Sequence, residues 1–234
     1  MRLAIERASA DAHALDRAGF DAILVENFGD APFFADETPA VTVAAMTACA
    51  LAVREAAPGL VLGVNVLRND AKAALAVAAV TGASFIRVNV LSGARVTDQG
   101  IVEGKAAEVM RMRASLAKDV RVFADVFVKH SAALASRPLE EEIAELVERA
   151  LADAVLVTGS GTGVAPLLAE VEKARRAAST PLFVASGATE NTARTLLAHC
   201  DGIIVGTAIK RGRRAGGPVD ASLAKGFVRS CRRA

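Results

Sequence analysis

Short β-branched runs alternate with Ala-rich stretches of helical periodicity along the whole chain. The apolar runs fall at 21–26, 61–66, 85–90, 121–128, 153–157, 181–185 and 202–207. Stretches with apolar residues at helical spacing cover 2–18, 39–57, 71–81, 104–117, 139–152, 165–178, 190–199 and 219–231. Alternation of strand and helix patterns predicts βα units and a parallel sheet. Local signals support several boundaries. Asp70 is placed to cap the helix entered at Ala71, and Thr38-Pro39 offers a cap residue before a first-turn proline. Gly19 and Gly82 follow helices.

Within each strand the two parities differ. One is apolar: Ile23 and Val25; Leu62, Val64 and Val66; Ile86, Val88 and Val90; Val122, Ala124, Val126 and Val128. The other carries Glu26, Gly63, Asn65, Arg87, Asn89, Asp125, Lys129 and Thr158. An open sheet covered by helices on both faces is apolar on both. A barrel instead turns one parity inward and gathers polar residues at the C-terminal ends of its strands. The pattern therefore predicts a TIM (β/α) barrel forming a single domain over 1–234. Seven strands are visible and the chain opens on a helix, so the expected first strand is missing and the N-terminus reads as shortened. Strands 21–26 and 202–207 would then border a gap, which predicts a gapped barrel and association of copies through its open edges, a homo-oligomer.

Composition narrows the chemistry. The chain has 234 residues, 53% of them hydrophobic, with 28 Lys+Arg against 26 Asp+Glu. A net charge of +2 gives no basis for a nucleic-acid partner, and the lack of Trp and Tyr removes stacking platforms. Three cysteines without C-x-x-C spacing predict neither a disulfide framework nor a metal site and point to a cytoplasmic setting. No apolar run has the length of an integral membrane segment. No cofactor is implied, since the G-x-G-x-G of 159–163 lacks the dinucleotide spacing.

Candidate chemistry gathers at the predicted strand ends. Glu26 is either a general base or the ion-pair partner of Arg87. Asn65 and Asn89 present amides to the barrel mouth, and Arg87, one layer deeper, needs Glu26 or Asp125 as an acidic partner. Asp98 lies in a loop after the third strand, where binding residues collect. Asp125, Lys129 and His130 form the main catalytic constellation. The lysine can serve as an acid, a Schiff-base nucleophile or an anion clamp, and the alternative is a charge-balanced core with Arg87 and Glu26. Thr158 joins the substrate-binding set. Gly159 and Gly161, then Gly187 with Thr189, then Gly206 with Thr207, end the last three strands with backbone that can approach an anion closely, the arrangement by which barrels hold phosphate.

The strings VENFGDAPFF, LGVNVLRND, FIRVNV, VTDQG, ADVFVKH, TGSGTG, SGATEN and DGIIVGTAIK, in order from Asp21 to Lys210, resemble the BtpA/SgcQ family. The resemblance implies a TIM barrel related to ribulose-phosphate-binding barrels. One lineage is linked to photosystem I biogenesis or stability and another to sugar-utilisation gene sets. Members usually open with a strand and an HLPPLPG-like segment, which has no counterpart here, and commonly carry His where this chain has Phe127. The expectation is a phosphate-binding barrel enzyme that acts on a phosphorylated sugar or similar small metabolite by isomerase- or lyase-type acid–base chemistry. The alternative is a non-catalytic photosystem I biogenesis factor.

Overall fold

The computed structural model describes residues 1–135, 137–159, 161 and 163–232. Seven parallel strands form a curled sheet: β1 (Ala22–Glu26), β2 (Val61–Asn65), β3 (Phe85–Val88), β6 (Arg121–Asp125), β8 (Ala154–Val157), β9 (Leu182–Val184) and β10 (Gly202–Ile203). Each lies beside its predecessor in that order, in the right sequence for a barrel wall. Among the described residues eight α-helices alternate with and flank these strands: α1 (Arg2–Ala18), α2 (Ala40–Ala56), α3 (Ala71–Thr81), α4 (Ala106–Leu116), α5 (Leu139–Ala144), α6 (Leu168–Ala177), α7 (Ala193–Leu197) and α8 (Ala221–Arg232). None of the described helices is long and apolar enough to cross a membrane.

The parity reading holds. Val64, Ile86, Val122, Ala124 and Val155 are fully buried between sheet and helices. The opposite parity fills the barrel in two layers. The lower layer is aromatic: Phe85 stacks on Phe123 at 4.6 Å and Phe123 on Phe183 at 5.1 Å. Room for these rings comes from the strands beside them. A Cβ on Gly63 of β2 would run into the Phe85 ring, so glycine there is a space for a neighbour's side chain. The upper layer holds the charged groups described below.

Three strands were not expected. β4 (Ala94–Thr97) and β5 (Gly100–Glu103) form an antiparallel hairpin, and β7 (Ser131–Ala133) pairs with the other edge of β4. The segment read as a loop at 96–100 is therefore the tip of a hairpin, with Asp98 and Gln99 between the paired Thr97 and Gly100. Because β4 and β5 follow β3 while β7 follows β6, this small sheet stands at the C-terminal end of the barrel wall.

Several predicted boundaries are corrected. Strand pairing stops at Val88, Asp125 and Ile203, because the chain leaves the ladder to build the mouth. The predicted helix over 139–152 widens into a π-helical turn at Glu145–Arg149. Thr38 does not cap α2. Its amide and hydroxyl both donate to Asp70 Oδ2, at 2.8 and 3.0 Å, while Asp70 Oδ1 caps α3 through the Ala73 amide at 2.9 Å. Gly19 and Gly82 close α1 and α3 as expected.

The first and last strands each pair on one side only. Helices span that interval. α1 packs against both α2 and α8. Phe20 stacks on Phe227, the Val219 amide donates to Asp11 Oδ1 at 2.8 Å, and Arg232 donates to the Gly19 carbonyl at 2.7 Å.

Candidate functional site

In a parallel barrel every strand delivers its C-terminal residue to the same end, and loops from that end build the site. Glu26, Asn65, Arg87 and Asp125 meet there. Arg87 binds Asp125 through two parallel hydrogen bonds of 2.9 Å, Nε to Oδ1 and Nη2 to Oδ2, and reaches Glu26 Oε1 at 3.3 Å. Asn65 donates to the same Glu26 oxygen at 2.9 Å, and Asn89 donates to Asp125 Oδ2 at 2.8 Å. Burial opposes the Arg87 charge, yet Asp125 and Glu26 hold the guanidinium above its usual range.

The two carboxylates are not equivalent. The Asp125 side chain is 1% exposed and both its oxygens are engaged. Glu26 is 27% exposed and, among the described residues, keeps Oε2 without a donor. Asn89 leaves Oδ1 buried with no donor among the described residues, facing a small polar cavity shared with Ser92, Arg95 and Glu142. A buried acceptor of that kind is a place for a ligand hydroxyl or a water.

Lys129 lies four residues past the end of β6, in a segment held by its backbone. The Phe127 carbonyl accepts from Thr158 Oγ1 at 2.6 Å, the Val128 carbonyl from Ser131 Oγ at 2.6 Å, and the Lys129 carbonyl from Arg68 Nη2. Burial and the nearby Arg87 guanidinium push the Lys129 ammonium down to about 8. Arg68 stands in the loop after β2, within electrostatic reach of Asp125, Asp98 and Glu26, and burial lowers its own range. Sequence reasoning missed Arg68. The string VNVLRND marks only Asn65 and Asp70 by parity and capping, and a loop residue escapes the strand parity that finds the others.

The remaining candidates are arranged around this cluster. His130 is exposed on the rim, and a Cβ built on Gly161 would lie 3.7 Å from its ring. Asp98 is exposed at the hairpin tip. Thr158 spends its hydroxyl proton on Phe127. The three glycine loops do converge. A Cβ on Gly187, whose φ is +67°, would collide with the Val164–Ala165 backbone, and a Cβ on Gly159 would meet the Val164 carbonyl. Ser186 donates to the Gly161 carbonyl at 3.4 Å. Those glycines therefore serve loop-on-loop packing. Gly206 differs: nothing lies within 4 Å of where its Cβ would be, and Thr207 opens a 3-10 turn directly after it. The Thr189 amide already donates to Thr192 Oγ1 at 3.0 Å. Among the described residues no group of three or more His, Cys, Asp or Glu is arranged to hold a metal.

Known proteins share this frame. Thiamine phosphate pyrophosphorylase from Pyrococcus furiosus superposes with a TM-score of 0.62 at 16% identity, covering 97% of this chain and 88% of its own. The (S)-3-O-geranylgeranylglyceryl phosphate synthase of Thermoplasma acidophilum, solved with sn-glycerol-1-phosphate, gives 0.61 at 16% identity, covering 97% and 87%. At such identities the likeness shows the fold alone, a TIM-barrel type. Sequence relatives are much nearer. The photosystem I biogenesis protein BtpA of Synechocystis is 42% identical over 225 residues, 96% of this chain and 78% of that protein. The family model described as the BtpA family matches residues 1–233. With the ordered motifs, the barrel and its polar mouth all in agreement, the chain belongs to the BtpA family.

Proposed function

We propose that the chain is an enzyme that holds a small phosphorylated metabolite across the C-terminal mouth of the barrel. The observation that carries this reading is the charge balance of the mouth. Inside the mouth Arg68, Arg87 and Lys129 stand against Glu26 and Asp125, and Asp98 reaches Arg68 from the exposed hairpin tip, so an anion is favoured in the desolvated interior. The phosphate is assigned to the loops after β8, β9 and β10, where Gly159, Gly161 and Gly187 let the loops pack closely and Thr189, Gly206 and Thr207 face the anion. The open space at Gly206 is the point of closest approach. The reacting end of the ligand lies over Glu26, Lys129 and His130, with Asn65, Arg87, Asn89, Asp98 and Thr158 around it. Glu26, with a free oxygen, is the group equipped to exchange a proton. Asp125, with both oxygens bound, orients Arg87 and Asn89. Isomerase- or lyase-type chemistry suits this set.

The test is a thermal-shift and calorimetric panel of inorganic phosphate and phosphorylated sugars. A ligand at 100 times its dissociation constant adds about 2.7 kcal/mol of stability. A Cβ at Gly206 meets nothing within 4 Å and its φ of −131° lies outside the left-handed region, so the fold of Gly206→Asp should survive. Repulsion should then weaken phosphate binding by about ten-fold or more. Unaltered affinity in that variant would remove the loop after β10 from the site.

A second reading rests on the exposed apolar side chains of the loops at the mouth: Phe28, Phe34, Val96, Ile101, Val164 and Leu167. They suit a protein partner of the kind the name of the Synechocystis relative suggests. A ligand panel without a single shift favours this assembly role.

A further inference from the structure

Resting on the phosphate reading above, we infer that Lys129 is a covalent nucleophile whose amine forms an imine with an aldehyde or ketone carbon of the substrate. Three roles are open to a lysine at a barrel mouth, and the geometry separates them. A structural lysine neutralises a carboxylate. Here both Asp125 oxygens and Glu26 Oε1 are already taken by Arg87, Asn65 and Asn89, and among the described residues the Lys129 amine has neither an ion pair nor a hydrogen-bond partner. An anion clamp is best served by a fixed charge, which Arg68 and Arg87 supply in the same cluster. A nucleophile needs a neutral lone pair, a fixed base of attachment and a mobile tip.

Lys129 meets those three needs. Burial opposes its protonated form first, and the Arg87 and Arg68 guanidinium groups add to it. Three consecutive carbonyls, those of Phe127, Val128 and Lys129, are each fastened by a side chain: Thr158 and Arg68 reach in from distant parts of the chain, and Ser131 bonds back within the segment. The backbone is thereby positioned while the butyl-ammonium arm stays unattached. The Glu26 oxygen left without a donor belongs to the same charged cluster.

The Nζ lone pair adds to the carbonyl carbon, and the C=O electron pair moves to oxygen, which takes a proton. Nitrogen then gives up one proton, a second proton joins the hydroxyl, and water leaves as the C=N bond forms. Amine, carbonyl and one proton become an iminium and water, and no oxidant or reductant is consumed. Glu26 is the acceptor and donor at hand. The iminium withdraws electrons from the adjacent carbon, which is what cleavage or isomerisation next to a carbonyl requires.

Two measurements test this on the intact chain. The first is competitive acylation of all lysines by a trace amine reagent across pH, read by peptide mass spectrometry. Lys129 should titrate near 8 rather than near the ordinary 10.5. At neutral pH it should react about ten-fold or more faster than surface lysines. A midpoint near the ordinary value overturns the inference. The second is reductive trapping with glycolaldehyde phosphate, and separately glycolaldehyde, in cyanoborohydride. A 2-phosphoethyl adduct concentrated on Lys129, and its absence from Lys129→Arg, is the expected result. Even labelling of all lysines by a protein that still shows a phosphate thermal shift sinks the imine and leaves the phosphate reading standing. Selective labelling of Lys129 that is equally fast without the phosphate group, together with no thermal shift, sinks the phosphate reading and leaves the imine.

Discussion

Lys129 imposes a cost on the fold that pH removes. Folded, it titrates near 8, against an ordinary 10.5. Below the lower value both folded and unfolded chains bind the proton, and the cost of burying the ammonium beside two guanidinium groups is fully present. Between the two values the unfolded chain binds more protons, so stability rises with pH, and above the upper value the gain is complete. The gain should be on the order of 1–3 kcal/mol. Urea unfolding at about pH 7 and about pH 10 should show it in the native chain, and Lys129→Met should lack this component of the slope. An identical slope in the variant would assign the effect elsewhere. Legibility at this scale followed strand parity. Glu26, Asn65, Arg87 and Asp125 could be assembled from alternation alone. Phe85, Phe123 and Phe183 share that parity and were equally readable as a floor. Arg68 was not, because its position depends on the path of a loop.

Among elements, α3 shows how one side chain can serve two segments. Asp70 caps its first turn with one oxygen and holds Thr38, at the approach to α2, with the other. Asp70→Ala removes three hydrogen bonds to a carboxylate and should cost about 2–4 kcal/mol. Asp70→Asn, which keeps an acceptor for the cap, should recover part of that. Denaturant midpoints of the two variants check the order, and equal losses would mean that the charge alone matters. Asp70 was predictable from spacing, whereas its second role was not, because Thr38 comes to it across 32 residues of chain. The small sheet failed to show for a related reason. Its hairpin turns on Asp98-Gln99 rather than an Asn-Gly pair, its strands are four residues long, and β7 joins β4 from 36 positions away.

For the whole molecule, the wall of strands has two ends and the ring of helices joins them. The alternation of runs was enough to order the seven strands, but no local pattern could place α1 against α8. That arrangement depends on Asp11 with Val219, Phe20 with Phe227, and Arg232 with Gly19. Asp11→Ala should lower stability by about 1–2 kcal/mol and speed amide exchange at Val219 and along α1 before the central strands are affected. Uniform acceleration across the chain would show that the joint is not a separate unit.

The same joint sets a timetable for synthesis. Asp11 and Val219 lie 208 positions apart. A chain growing from its N-terminus completes β1, β2 and β3 long before α8 exists, so α1 docks first on α2 and waits with its other flank wet. Until α8 leaves the ribosome, the outer edge of β1 is exposed to any strand that passes. The interval in which this protein most needs a chaperone therefore runs until α8 has been made and can dock, and a nascent chain stalled just short of Val219 is the form most prone to pairing with its neighbours.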